Sequence, residues 1–144
     1  MYEDYSRQAL PTKHYRELLG SAICVFNSNN AFLIENILRF DEQQQHNWYE
    51  LIDKTSGSLK RIIQEVISIK YGNEIEQLFL EIVTMRNRII HSFQITNKEG
   101  FQVLATKEKI EEGNRQFHIT ENFLFDFIAK NERLSNMLHE LRGY

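Results

Sequence analysis

The sequence predicts a mainly α-helical single domain of 144 residues, with a small β-hairpin inserted before the last helix. Apolar residues recur at steps of three and four over most of the chain, which is typical of amphipathic helices with one buried face. At about residues 92–120 the period changes to alternation, which is typical of strands. No internal repeat or linker divides the chain, so we expect one bundle of four to five helices over residues 1–144.

The N-terminal half predicts two helices joined by a polar segment. Apolar spacing indicates one long helix from Thr12 to about Phe40, with a kink allowed at 27–30. Residues 41–56 are polar and broken, and their apolar residues indicate one short helical turn that packs on the bundle: Trp48, Tyr49, Leu51 and Ile52. We interpret Trp48 and Tyr49 as core anchors, because no basic cluster accompanies them as in a base-stacking surface.

Two further helices follow before the hairpin. The first of these helices is expected to begin at residues 58–61 and to end at Gly72. Asn73 is the expected N-cap of the second helix, whose buried face extends from Ile75 to Ile90. Three carboxylates of that helix are interpreted as a solvated face: Glu74, Glu76 and Glu81.

The hairpin and the last helix have clear local signals. Phe93 and Ile95 alternate with polar neighbours before the turn signal at 97–100, and alternation resumes from Phe101 to Ala105. Residues 107–114 read as a charged loop, and a third strand is a further expectation at 116–120. Thr120 is the expected N-cap of a final helix that ends at Gly143.

Composition limits the classes of function. A net charge of −3 argues against a broad binding surface for duplex nucleic acid, but it neither requires nor forbids an RNA substrate. There is no apolar run of 18 residues, and Met1 to Tyr5 do not resemble a signal peptide, so we expect a cytoplasmic protein that does not enter membranes.

Several kinds of chemistry are not indicated. The single Cys24 stands among apolar residues, which predicts a buried, unreactive thiol. No His, Cys or carboxylate spacing resembles a metal site, and there is no Gly-rich phosphate loop, so we expect neither a metal nor a cofactor. Four scattered histidines are interpreted as solvent-facing or packing residues: His14, His46, His118 and His139.

The run Arg86-Asn87-Arg88-Ile89-Ile90-His91 is the strongest functional signal. Three other Arg-to-His pairs have similar spacing, at 7–14, 39–46 and 133–139, but the first two cross Pro11 or a Gln-rich loop and the third flanks an apolar stripe. By contrast, Arg86 falls near the middle of the buried face of its helix, where Leu or Ile is expected. A charge at such a position needs a partner or a purpose.

These residues do not converge easily within one chain. Asn87 and His91 are four residues apart and share a helix face, while Arg86 points about 140° away from His91 on a straight helix. A second copy of the helix across a two-fold axis would place two Arg and two His around one cleft. We therefore predict a homodimer with a composite site.

The motif, in which four residues beginning with Asn87 separate Arg86 from His91, resembles the Arg, four to six residues, His type of the HEPN superfamily (higher eukaryotes and prokaryotes nucleotide-binding domains), closely over residues 73–93. The resemblance implies a HEPN-like bundle of four or five helices that dimerises through the motif helix, with Arg86, Asn87 and His91 as catalytic residues. It also implies a metal-independent endoribonuclease of a toxin–antitoxin or phage-defence type. Some toxins of the superfamily carry a modifiable Tyr two residues after the His, where this chain has Phe93, so that form of control is not implied.

Two other interpretations remain open. Some members of the superfamily are catalytically silent interaction modules, which would pair here with a toxin or defence protein. An active toxin would instead have an antitoxin or another defence-system protein as its partner. In a plain structural bundle, Arg86 would instead belong to an ion pair with a buried Glu or bind helix carbonyls, and His91 would cap the helix C-terminus. Stability and activity measurements separate these interpretations.

Overall fold

The structure is a computed structural model that describes residues 7–143. The described chain forms five helices around one apolar core, as predicted, and a small antiparallel sheet before the last helix. Helix α1 spans Lys13–Phe40, α2 spans Trp48–Asp53, α4 spans Glu74–Ile90 and α5 spans Glu121–Leu141. Between α2 and α4, helix α3 consists of Lys60–Ile63, one π-helical turn at Gln64–Ser68 and a last turn at Ile69–Tyr71.

Helix α1 is continuous through residues 27–30, where a kink was allowed. Its N-cap is Thr12, the residue at which the helical period was expected to begin, and the Thr12 hydroxyl accepts a hydrogen bond from the backbone N–H of Tyr15 at 3.2 Å. Asn29, a weak helix former, is buried because its Nδ2 donates to the backbone oxygen of Asn131 on α5 at 2.6 Å and to its Oδ1 at 3.1 Å. Asn29 therefore forms a polar contact between α1 and α5.

Helix α3 contains an irregularity that the sequence did not predict. A short 3₁₀ segment, Ser56–Leu59, leads into it, and Gly72 ends it with φ +86°. The π turn brings Gln64 and Ser68 within 3.2 and 3.3 Å of the carboxylate oxygens of Glu76 on α4. The prediction of a solvated Glu76 is wrong, because these donors let the carboxylate lie buried, with 8% of the residue exposed.

Two other predictions for α4 concern its exposed carboxylates and its N-cap, and they are confirmed in part. Glu74 and Glu81 are exposed, as predicted, and Glu81 forms an ion pair with Lys130 of α5 at 2.8 Å. Asn73 stands at the N-cap position, but its side chain makes no capping hydrogen bond.

The predicted hairpin and third strand are both present. Strands β1 (Phe93–Thr96), β2 (Gln102–Lys107) and β3 (Gln116–His118) form an antiparallel sheet in that order, with Phe93 opposite Ala105 and Thr106 opposite Phe117. The charged loop at 107–114 includes one 3₁₀ turn, Ile110–Glu112. Helix α5 then begins after Thr120, whose hydroxyl accepts from the backbone N–H of Phe123 at 3.0 Å.

Tyr15 attaches the sheet to the bundle. Its hydroxyl donates to the backbone oxygen of Ile119 at 2.6 Å and accepts from the backbone N–H of Leu104 at 3.3 Å. The side chain is buried, and burial is the main reason why the pKa of Tyr15 is raised above its usual value. The N–H bond from Leu104 acts in the opposite direction.

Stability at alkaline pH is expected to depend on Tyr15. Because its folded pKa is raised, the unfolded chain loses the proton first, and stability falls as the pH rises from about 10 through the folded pKa. In Tyr15→Phe the free energy of unfolding should not show this decrease at alkaline pH. Near neutral pH the substitution should lower the free energy of unfolding by about 1 to 3 kcal/mol, because two backbone groups lose their hydrogen-bond partner. Urea unfolding of both proteins at several pH values measures this; parallel curves above pH 10 would contradict it.

Two predictions of buried side chains, those for Cys24 and Tyr49, are wrong. Cys24 is exposed, because it lies about 200° around α1 from the buried Ala22 and Phe26. Tyr49 is 81% exposed, because the six-residue α2 buries only Leu51, although Trp48 packs in part against the core as predicted.

Within residues 7–143, none of the helices combines the length and the apolar character that crossing a membrane requires.

Candidate functional site

Helix α4 carries the three motif residues at its C-terminal end. Its inward face buries residues at steps of three and four, up to Val83 and again at Ile89. Arg86 lies between them and is half-buried, so the prediction that it interrupts the buried face is confirmed. Ile90, which the period also placed on this face, is 48% exposed, since the helix ends there and none of the described elements covers it.

Arg86 has no acidic partner among the described residues. Its guanidinium carbon lies 5.6 Å from the ring centroid of Phe26 on α1, and its Nη1 donates to Oδ1 of Asn87 at 3.3 Å. Within residues 7–143, no Asp or Glu oxygen lies within 4.0 Å of the guanidinium nitrogens. The described residues therefore contain no ion pair that would give Arg86 a structural role.

His91 occupies the C-cap position of α4. Its backbone N–H donates to the oxygen of Asn87 at 2.9 Å, which keeps the last turn helical, and Ser92 then closes the helix by donating from Oγ to the oxygen of Ile89 at 2.6 Å. The residue is exposed, and across the described chain its ring forms no hydrogen bond or ion pair. The ring is therefore accessible to a ligand from solvent.

The structure thus brings two of the three predicted residues together. The guanidinium of Arg86 bonds the side chain of Asn87, but no hydrogen bond joins the His91 ring to either side chain. Because the helix is regular up to His91, the angular separation of about 140° between Arg86 and His91 is retained. One chain alone therefore presents the guanidinium of Arg86 on one side of the helix and the imidazole of His91 on another, with Asn87 closer in angle to His91.

Sequence reasoning missed two residues that shape this end of α4. Arg88, inside the motif, donates from Nη1 to the backbone oxygen of Lys107, which joins the helix to β2. Phe26, 60 residues before Arg86, supplies the ring under its guanidinium. Neither contact has a local signal, because each depends on how distant elements pack.

The site offers acid–base and electrostatic chemistry. In the described part of the chain, no group of three or more His, Cys, Asp or Glu side chains is placed to hold a metal ion. A half-buried guanidinium can bind a phosphate through two parallel N–H bonds, and an exposed imidazole can move a proton. Two apolar side chains, Ile90 and Phe93, are 48% and 43% exposed beside His91.

No protein-family model, curated protein or solved structure matches this chain. Functional inference therefore rests on the motif residues, their surroundings and the fold.

Proposed function

We propose that the protein is a metal-independent endoribonuclease of a toxin–antitoxin or phage-defence type, built on a HEPN-like bundle. The observation that carries the proposal is the half-buried Arg86 with no carboxylate partner among the described residues. Moving a cation partly out of water without a counter-ion costs free energy, and an anionic ligand would supply the missing charge. A phosphate of RNA is an anion that the guanidinium of Arg86 and the neighbouring amide of Asn87 can both bind.

In the proposed reaction the 2′-OH oxygen of RNA attacks the adjacent phosphorus, and the bond from phosphorus to the 5′ oxygen breaks. His91 moves the proton, Arg86 offsets the charge that grows on the phosphate, and Asn87 orients the phosphate or the imidazole. The products are a 2′,3′-cyclic phosphate and a 5′-hydroxyl end. Every atom of the nucleophile comes from the substrate, so no metal-bound water is required.

Cleavage of RNA by the purified protein should persist in EDTA and leave cyclic 2′,3′-phosphate ends. A DNA oligonucleotide of the same sequence should remain intact, because it lacks the 2′-OH nucleophile. Gel analysis of a single-stranded transcript pool, with mass spectrometry of the ends, measures both. Ends that carry a 5′-phosphate, or a strict requirement for Mg²⁺, would contradict this mechanism.

The site is proposed to be complete only in a homodimer. Since Arg86 and His91 point in different directions on one helix, a two-fold axis beside α4 would place the His91 of one copy near the Arg86 of the other. The exposed Ile90 and Phe93 at the same end supply apolar surface for that contact.

Light scattering at micromolar concentration should report about twice the chain mass of 17.2 kDa. Replacing Ile90 by Asp should produce monomers, because a carboxylate at a packed contact is costly to desolvate. Mixing inactive Arg86→Ala with inactive His91→Ala should then restore part of the cleavage, since a mixed dimer contains one intact composite site. A monomeric wild type that cleaves RNA would rule the composite site out.

The second candidate is a catalytically silent HEPN-like interaction module that pairs with a toxin or defence protein. It is favoured by the same exposed Ile90 and Phe93, which could contact another protein, and by the absence of any bond between His91 and Arg86 within one chain. The cleavage assay separates the two candidates.

A further inference from the structure

We propose that Phe26 is a positioning residue for the phosphate-binding guanidinium of Arg86. The inference rests on the proposed function, in which Arg86 binds the scissile phosphate. Phe26 lies on α1 and is 2% exposed, so it cannot itself contact RNA in the folded protein. It acts through Arg86, whose guanidinium carbon is 5.6 Å from the centre of its ring.

An aromatic ring holds a guanidinium without using its hydrogen-bond donors. The attraction is between the positive charge and the negative face of the ring, and it acts within about 6 Å of the centroid. A carboxylate in the same place would take two N–H groups and neutralise the charge. The guanidinium of Arg86 has five N–H donors. Among the described residues it forms one hydrogen bond, to Asn87, so its other donors remain for a phosphate.

The ring of Phe26 is itself held in place by α5. It stacks on the ring of Phe127 with centroids 6.1 Å apart and planes 26° apart. Beside this pair, Asn29 bonds Asn131, and Asn131 Nδ2 donates to the backbone oxygen of Phe127 at 2.9 Å. These bonds fix how α1 lies against α5, and they therefore fix where the face of Phe26 meets α4.

The first test is independent of any activity. Protons held over the face of an aromatic ring resonate upfield, so the side-chain δ and ε protons of Arg86 should be shifted upfield in the NMR spectrum of the wild type. Phe26→Leu should abolish the shift, and Phe26→Tyr should retain it because the ring face is kept. Phe79→Leu is the matched control, because Phe79 is an equally buried core ring on α4 over which the described residues place no cation.

The second test measures binding of a single-stranded RNA whose 2′-hydroxyls are methylated, so that it cannot be cleaved. Fluorescence anisotropy should show about fivefold weaker binding by Phe26→Leu, which corresponds to the loss of one cation–π contact. Phe26→Tyr should bind within about twofold of the wild type, and so should Phe79→Leu. All proteins are compared at a temperature where thermal melts show each of them to be folded.

The outcomes separate this inference from the proposed function. If the wild-type protein binds the methylated RNA but cleaves no unmodified RNA, the proposal of nuclease activity is wrong. The proposed role of Phe26 in positioning Arg86 is not contradicted by that result. Phe26→Leu that binds like the wild type, or Arg86 protons without an upfield shift, would overturn the role of Phe26 whatever the cleavage. Wild-type protein that binds no RNA would overturn both.

Discussion

His91→Ala is expected to lower the rate constant of RNA cleavage by about 10²- to 10⁴-fold, because a positioned general acid or base contributes that much to a proton transfer. The fold should not change, since the imidazole is exposed and, in the described chain, holds no partner. A single-turnover assay with excess protein measures the chemical step, and light scattering checks that the variant associates like the wild type.

His118→Ala is the control for this substitution. His118 is also an exposed histidine near an element end, on β3, but it lies outside the motif. Its removal should leave the cleavage rate within about twofold of the wild type. If His91→Ala retains the activity while the protein is folded, the nuclease proposal fails and the silent interaction module becomes the better explanation of the motif.

Arg86→Ala is expected to separate catalysis from stability. Loss of one group that stabilises transition-state charge costs about 10²- to 10³-fold in rate. The free energy of unfolding should change by only about 1 kcal/mol, because the substitution removes a contact with Phe26 and leaves no buried carboxylate behind among the described residues. A structural ion pair would instead cost about 3 to 5 kcal/mol.

Thermal melts and cleavage rates of three proteins decide this prediction. Arg86→Lys keeps the charge but loses the two parallel donors, so it should recover only part of the rate. Arg133→Ala removes an exposed arginine from α5, in the similarly spaced pair with His139, and should change neither quantity. A large loss of stability in Arg86→Ala with an unchanged cleavage rate would show that the arginine is architectural.

Local patterns were sufficient to predict most of the architecture. Thr120 was expected to cap the last helix, and its hydroxyl accepts the backbone N–H three residues later. The switch from steps of three and four to alternation placed the hairpin and its third strand. These features follow from bonds within a few residues and from burial periodicity, which a single chain already contains.

Two errors about burial have different physical causes. Cys24 has apolar neighbours in sequence, but the helical period of α1 places it opposite Ala22 and Phe26, so the period and not the neighbouring residue types decided its exposure. Glu76 is buried because the π turn of α3 supplies Gln64, 12 residues earlier in the chain, as a hydrogen-bond donor. That contact depends on how two helices pack, and no local pattern predicts it.

For the candidate site, the sequence by itself determined that Arg86 interrupts the buried face of a helix and that His91 lies five residues later, near the helix end. Both statements depend only on the helical period and on the signals that end a helix. The tertiary structure alone decided what surrounds the charge. Phe26 is brought to Arg86 because α1 and α4 both pack on α5, and that packing also leaves Arg86 without a carboxylate partner among the described residues. Contacts between helices 60 residues apart depend on the whole core, so no local pattern encodes them.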